Sequence, residues 1–517
     1  MTTPTQRHRQ RRPASVLAAV LAALALVAAA CADDSPDMFD AGPPATATAE
    51  PGAGAAAPGA QESESGSATE TDPGNDPADA GDAVAGAPGL GDPYYPLLGN
   101  SGYDVERYVV NLVWDDDTGQ LGGTTTVEAT ATVTLASFNL DFAGETVSAA
   151  RVDGAAAAVD RADTELTITP GATLAAGDRF VAEIDHTGIP GRAPTYTSLD
   201  FGGWYRHGGV AFTLSQPAGN LVWHPVNDHP ADKARFRFEI TADDDLAVAA
   251  NGLLSDTIDN ADGTTTWVYE TRDPQAPYLT ALAIGDLELV EAPPVGDVII
   301  RHAVDRDLVD ELDRFATLPA MIEAFTEMFG PYPFEAYGIL IIDEPLGVAL
   351  ELQTLSIFGT DWFAPGRDLD AISAHELAHQ WFGNHVSVAE WDDIWLNEGF
   401  ATYAQYLWRE ASQPGYDIDR DIAAIRSLGT RLSLPPGDPG GEDLFDTSVY
   451  FRGALTLHEL RRQVGDDDFF AILRRHVERH AGANASTADF IATAEEVSGR
   501  DLTEFFDAWL YADMVPF

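Results

Sequence analysis

Cysteine and lysine are almost missing from this chain. Of 517 residues one is cysteine, Cys31, so no internal disulfide can form and no thiolate-rich metal site can be assembled. Lys233 is the only lysine. Positive charge is scarce altogether: 29 Lys+Arg stand against 83 Asp+Glu, a formal net charge of −54. Such a surface repels phosphate backbones, which argues against a nucleic-acid partner. It keeps a protein soluble and suits a solvated, extracellular or high-salt setting. Long apolar runs are also missing, with one exception. Val16 to Ala30 is unbroken but only fifteen residues long, the length of a signal-peptide core and short for a membrane span.

What surrounds that run gives it a meaning. Arg7, Arg9, Arg11 and Arg12 precede it, and Ala28, Ala29 and Ala30 lead into Cys31. The arrangement resembles a bacterial lipoprotein signal over residues 1–31, with Cys31 as the lipidated first residue of the mature protein. It implies a membrane lipid anchor and an address on the extracellular face of the cell membrane. An ordinary secretory signal cleaved nearby, and hence secretion, is the alternative. Residues 32–93 are Ala, Gly, Pro, Ser, Thr, Asp and Glu with little that is large and apolar. Such a segment cannot bury enough surface to offset its ordering entropy, and reads as a disordered acidic linker.

From 94 to 295 the pattern is β. Thr126 to Leu135 alternates strictly, and Tyr108–Trp114, Phe180–Ile184, Arg235–Ile240 and Trp267–Glu270 read as further strands. Asp262-Gly263 supplies a hairpin turn. Short strands with turn punctuation predict an antiparallel β-sandwich. From 296 to 517 helices take over. Leu308, Leu312, Phe315, Ile322, Phe325 and Phe329 follow one helical spacing until Gly330-Pro331 stops it. Extended stretches are predicted at Tyr337–Ile342 and Val348–Phe358, and helices resume at about Val449.

In this second half lies Ala374-His375-Glu376-Leu377-Ala378-His379. On a helix, residues four apart share a face, so both imidazoles can reach one Zn²⁺ at about 2.0–2.1 Å. Glu376 flanks that face, placed to take a proton from an attacking water. Eighteen residues after His379 comes Glu398, in Asn397-Glu398-Gly399-Phe400-Ala401, with helical apolar spacing beyond it. A second buried helix can bring this carboxylate to the same metal. Two His and one Glu leave a coordination position open, the pattern of a catalytic rather than a structural zinc.

These residues resemble the M1 family of zinc metallopeptidases, the aminopeptidase N and leukotriene A4 hydrolase group of the gluzincins. The resemblance runs from about Tyr94 to the C-terminus. It implies a saddle-like β-domain over 94–295, a thermolysin-like α+β catalytic domain over 296–517, one Zn²⁺ per chain and peptide substrates. Tyr450, in Tyr450-Phe451-Arg452-Gly453, stands where the family places an oxyanion-stabilising tyrosine, with Arg452 in place of lysine. Glu351, in Val348-Ala349-Leu350-Glu351-Leu352, stands where the family binds the substrate's free amino group. Ala218 occupies the place of a second amine-binding Glu or Gln, so Glu351 is expected to act without a helper. The remaining histidines, His207, His224, His229 and His458 among them, lack ligand spacing. Two other readings share the same residues: a zinc endopeptidase or other hydrolase without N-terminal recognition, and a catalytically silent surface protein that binds peptides.

Overall fold

A computed structural model describes residues 83–199 and 201–516; Cys31 and most of the expected linker lie outside them. Strand alternation builds the first half. Tyr103–Asp115 and Gln120–Ala131 pair antiparallel and turn Tyr108, Val110, Leu112, Val127 and Ala129 inward. They sit near the middle of an eight-stranded sheet in the order Leu253–Asp259, Thr264–Glu270, Arg235–Asp243, Tyr103–Asp115, Gln120–Ala131, Arg179–Gly188, Thr146–Val152, Ala155–Ala156. The strand Arg235–Asp243 joins Tyr103–Asp115 in parallel; its other neighbour, like the rest of this sheet, is antiparallel. A four-stranded sheet containing Leu135–Asp141 packs against it: Phe138 meets Phe180 of the large sheet with ring centroids 5.0 Å apart.

The second half opens on a five-stranded sheet, Leu287–Val295, Val298–Asp305, Ala336–Tyr337, Ile339–Ile342 and Ser356–Gly359. Helices α1 (Leu318–Phe329), α2 (Leu369–Ala378), α3 (Trp395–Ser412), α4 (Ile418–Arg426), α5 (Thr447–Val464), α6 (Asp466–Arg479), α7 (Thr487–Ser498) and the short α8 (Thr503–Phe506) pack around it. Helix α2 is apolar or buried along residues 371–378, as a helix enclosed on all sides must be. Trp381, just past its end, packs among Phe325, Phe329 and Tyr332. Phe382 then meets Phe400 of α3 at 4.7 Å. Arg409, near the end of α3, binds Asp368, the N-cap of α2, at 2.6 Å and Asp421 of α4 at 3.0 Å.

Four expectations move. The linker expected over 32–93 gives way to structure earlier: Val84–Ala85 already pairs with Leu135–Asp141 and Asp92 is buried. The domain boundary expected at 295 falls inside a hairpin, because Leu287–Val295 pairs with Val298–Asp305. The single helical pattern from Leu308 to Phe329 is broken: Arg306–Phe315 is a 3₁₀ stretch, and α1 restarts at Leu318 with Pro319 in its first turn, where proline costs no hydrogen bond. Val348–Phe358 is not one extended stretch; Leu350 bridges to Ile357 and the chain turns between them, with Thr354 at φ +66°.

Candidate metal centre and substrate cleft

Helix α2 and its C-cap carry His375 and His379, whose rings stand 4.7 Å apart and nearly perpendicular. Glu398 lies in the first turn of α3. Its Oε2 sits 3.2 Å from His375 Nε2 and 3.5 Å from His379 Nε2. One ligand atom from each of the three residues falls within 4.8 Å of the others, so the sequence's three candidate ligands converge from two helices.

The other ring nitrogens are held too. His379 Nδ1 lies 3.1 Å from the Phe382 carbonyl, so Nδ1–H donates there and Nε2 keeps its lone pair for the centre. The Gln405 side-chain amide lies 3.1 Å from His375 Nδ1. The amide atom placed there is Nε2; with the amide reversed, its oxygen would accept the Nδ1 proton and fix the same tautomer.

Charge in the pocket is organised for a cation. Burial alone would push His379 down, but Glu398 and Glu351 outweigh it and raise the imidazole to about 10. Burial pushes Glu398 up, but His379 and His375 outweigh it and hold the carboxyl low. His375 is lowered by burial, against the pull of Glu398. Glu376 is pushed well up by burial. The buried carboxylates that favour a proton on His379 favour a divalent cation in its place, and two imidazoles with one ionised carboxylate are a donor set that suits Zn²⁺.

Glu376 and Glu351 line the same cleft, which encloses about 760 Å³ including its open mouth. Oxygens of Glu351 and Glu376 and a ring nitrogen of His379 again fall within 4.8 Å of one another. Glu351 sits in the loop after Leu350, and its backbone is fixed from α2's far end: Gln380 Nε2 and Asn384 Nδ2 donate to its carbonyl at 3.0 and 2.6 Å. Its carboxylate accepts from Gln216 Nε2 at 3.1 Å. The expected lack of a helper is therefore corrected: Gln216, not position 218, faces the carboxylate, while Ala218 is buried in the core.

Tyr450 stands in the first turn of α5, stacked 6.0 Å from His375 and able to hydrogen-bond Glu398. Burial, then Glu398 and Glu351, push its phenol well up, so it stays a donor. Arg452 has a different task. It is fully buried and donates to the carbonyls of Trp509 at 2.8 Å and Ala512 at 2.6 Å, clamping the C-terminal segment. The other cleft walls are apolar, Leu199, Phe201, Val348, Trp362, Ile372 and Phe445 among them. Of the histidines set aside, His224, His229 and His458 are buried away from the centre, and His229 faces Asp92.

Comparison with known proteins agrees with this geometry. The Peptidase family M1 domain matches residues 314–509. Aminopeptidase M1 of Arabidopsis thaliana is 27% identical over 332 residues, covering 59% of this chain and 37% of its own length. Aminopeptidase N of Streptomyces lividans is 29% identical over 316 residues, covering 55% of this chain and 36% of its own. This chain thus spans a little over a third of the length of these curated relatives. Solved structures fit over more of it. An M1 zinc metallopeptidase of Deinococcus radiodurans, as a mutant bound to a Tyr-Ser-Ala substrate, is 31% identical with a TM-score of 0.76, covering 83% of this chain and 99% of its own. A two-domain M1 zinc metallopeptidase mutant bound to L-tryptophan is 30% identical with a TM-score of 0.77 and the same coverage.

Proposed function

The chain belongs to the M1 family of zinc metallopeptidases, and from that membership we propose that it is an aminopeptidase that removes single residues from the N-termini of peptides. One observation carries the reading: the Glu351 carboxylate, backed by Gln216, lies within 4.8 Å of both Glu376 and His379. In a peptide the α-nitrogen is about 2.5 Å from its own carbonyl carbon, given the N–Cα and Cα–C bond lengths, and consecutive Cα atoms are about 3.8 Å apart. An ammonium held at Glu351 therefore presents the first peptide bond to the centre and carries the second one past it.

The roles follow from position. His375, His379 and Glu398 would hold one Zn²⁺ per chain. Bound there, Zn²⁺ polarises the scissile carbonyl, acidifies a water and, by its charge, favours the ionised form of Glu376. Glu376 takes a proton from the water as its oxygen adds to the carbonyl carbon. The Tyr450 hydroxyl donates to the oxygen that becomes negative. Glu376 then passes its proton to the departing nitrogen as the C–N bond breaks. Apolar walls favour an apolar first side chain, because a charged one would lose its hydration without a partner.

The leader sequence supports a lipid anchor on Cys31 and a place on the extracellular face of the cell membrane; Cys31→Ser should then move the protein from the membrane fraction to the soluble one. The aminopeptidase reading is tested with amino-acid amides and with paired free and N-acetylated peptides, each with and without a chelator. Chelator-sensitive cleavage of the free peptides alone is expected. Equal cleavage of both would remove Glu351 as an amine anchor.

A further inference from the structure

The residues just before the large sheet touch the approaches to α3 and α5. Asp92 is 2% exposed. Its Oδ2 accepts from the backbone N–H of Trp391 at 2.8 Å, four residues ahead of the start of α3, and faces His229 Nε2 at 3.2 Å. Its Oδ1 accepts from the backbone N–H groups of Tyr94 and Tyr95, each at 2.8 Å. Tyr94 donates its hydroxyl to Asp438 at 2.7 Å and accepts from Gly440 N–H at 3.0 Å. Tyr95 donates to the Gly441 carbonyl at 2.8 Å, and its ring packs edge-on to Trp391 at 6.3 Å. The 438–446 segment runs directly into α5, and Phe445 on it forms a wall of the cleft against Phe201 at 5.9 Å.

We infer that Asp92-Pro93-Tyr94-Tyr95 is a positioning strap that sets the entries of α3 and α5 together, and so fixes Glu398 against Tyr450 and Phe445 against the first side chain of the substrate. The strap touches no reacting atom; it acts through two loop segments. That places part of the polar N-terminal tail within the working geometry of the enzyme. The inference rests on the aminopeptidase reading for its kinetic consequence but not for its structural one.

The test uses the full-length chain with Tyr94→Phe/Tyr95→Phe, which deletes two hydroxyls and keeps both rings. Tyr103→Phe serves as control, because it deletes a buried hydroxyl bonded to the Asn139 carbonyl within the β-domain, a bond the strap does not share. Hydrogen–deuterium exchange is expected to rise at least threefold across 391–398 and 438–450 in the double variant and not in the control. The ratio of kcat/KM for phenylalanine amide over alanine amide is expected to fall at least threefold, with kcat down at least fivefold and zinc content unchanged. Tyr94→Phe alone should show a smaller change in the same direction at 438–450, and it serves if the double variant does not fold. Exchange indistinguishable from the parent in both regions overturns the strap. A parent inert on every amide, with the exchange change present, overturns the aminopeptidase reading and leaves the strap standing.

Discussion

Gly399 of α3 and Gly453 of α5 meet so closely that a Cβ on Gly399 would lie 2.9 Å from the Gly453 Cα. Each glycine sits near a residue of the centre, Glu398 on one helix and Tyr450 on the other. The two helices can approach this far only because neither carries a side chain at the crossing. A methyl at position 399 would gain about 1 kcal/mol in helix propensity but has to displace backbone, and overpacking of this kind costs about 1–3 kcal/mol. Gly399→Ala is expected to lower the thermal midpoint and to reduce kcat at least tenfold by parting Glu398 from Tyr450. Thermal melts and steady-state kinetics check it; unchanged kcat would mean that the crossing does not set the centre.

Glu376→Gln keeps the shape of the side chain and removes its ability to take a proton. Loss of a positioned base costs about 10²–10⁴ in rate. The variant is expected to bind zinc at the parent's stoichiometry and to bind a tripeptide, with kcat lowered by that range. Metal analysis, calorimetry and kinetics on one preparation separate these quantities. Turnover at the parent's rate would take the base role away from Glu376.

The metal ligands were readable in the sequence because both constraints are local: four residues on one helix, and one carboxylate inside the next helical pattern. Glu351 and Tyr450 were readable only through likeness to a family, since neither neighbourhood states its role by spacing. Gln216 escaped because its partner Glu351 is 135 positions away, in another domain. The strap escaped for a different reason. Asp92 lies at the end of a composition that predicts disorder, and nothing in the residues around it announces a buried carboxylate. The division of Leu308–Phe329 into two segments was hidden by an apolar spacing that continues through Pro319.

The second layer around the ligands predicts a weaker but graded effect. Gln405 is the side-chain partner of His375 Nδ1. Such partners fix ring orientation and tautomer, and losing one typically weakens metal binding about 10–100-fold. Gln405→Leu is expected to show that loss in a competition titration against a zinc indicator, with activity restored by added zinc. Affinity equal to the parent's would show that the ring is held by packing alone.

Asp228 predicts how stability varies with pH. It is 1% exposed, and burial raises its carboxyl to about 7, against the bonds it accepts from the Leu221 and Asn220 backbone. The folded chain therefore holds a proton that the unfolded chain, with an ordinary carboxyl near 3.8, gives up. Between those two values the unfolded state binds fewer protons, so this group's contribution to stability falls as pH rises and is lost above about 7. Asp228→Asn keeps an acceptor for the Leu221 N–H and cannot ionise. The parent's thermal midpoint is expected to fall more steeply than the variant's between pH 5 and about 8, and the variant should be the more stable of the two at the upper end. Parallel curves would mean that Asp228 is already ionised in the folded chain at pH 5.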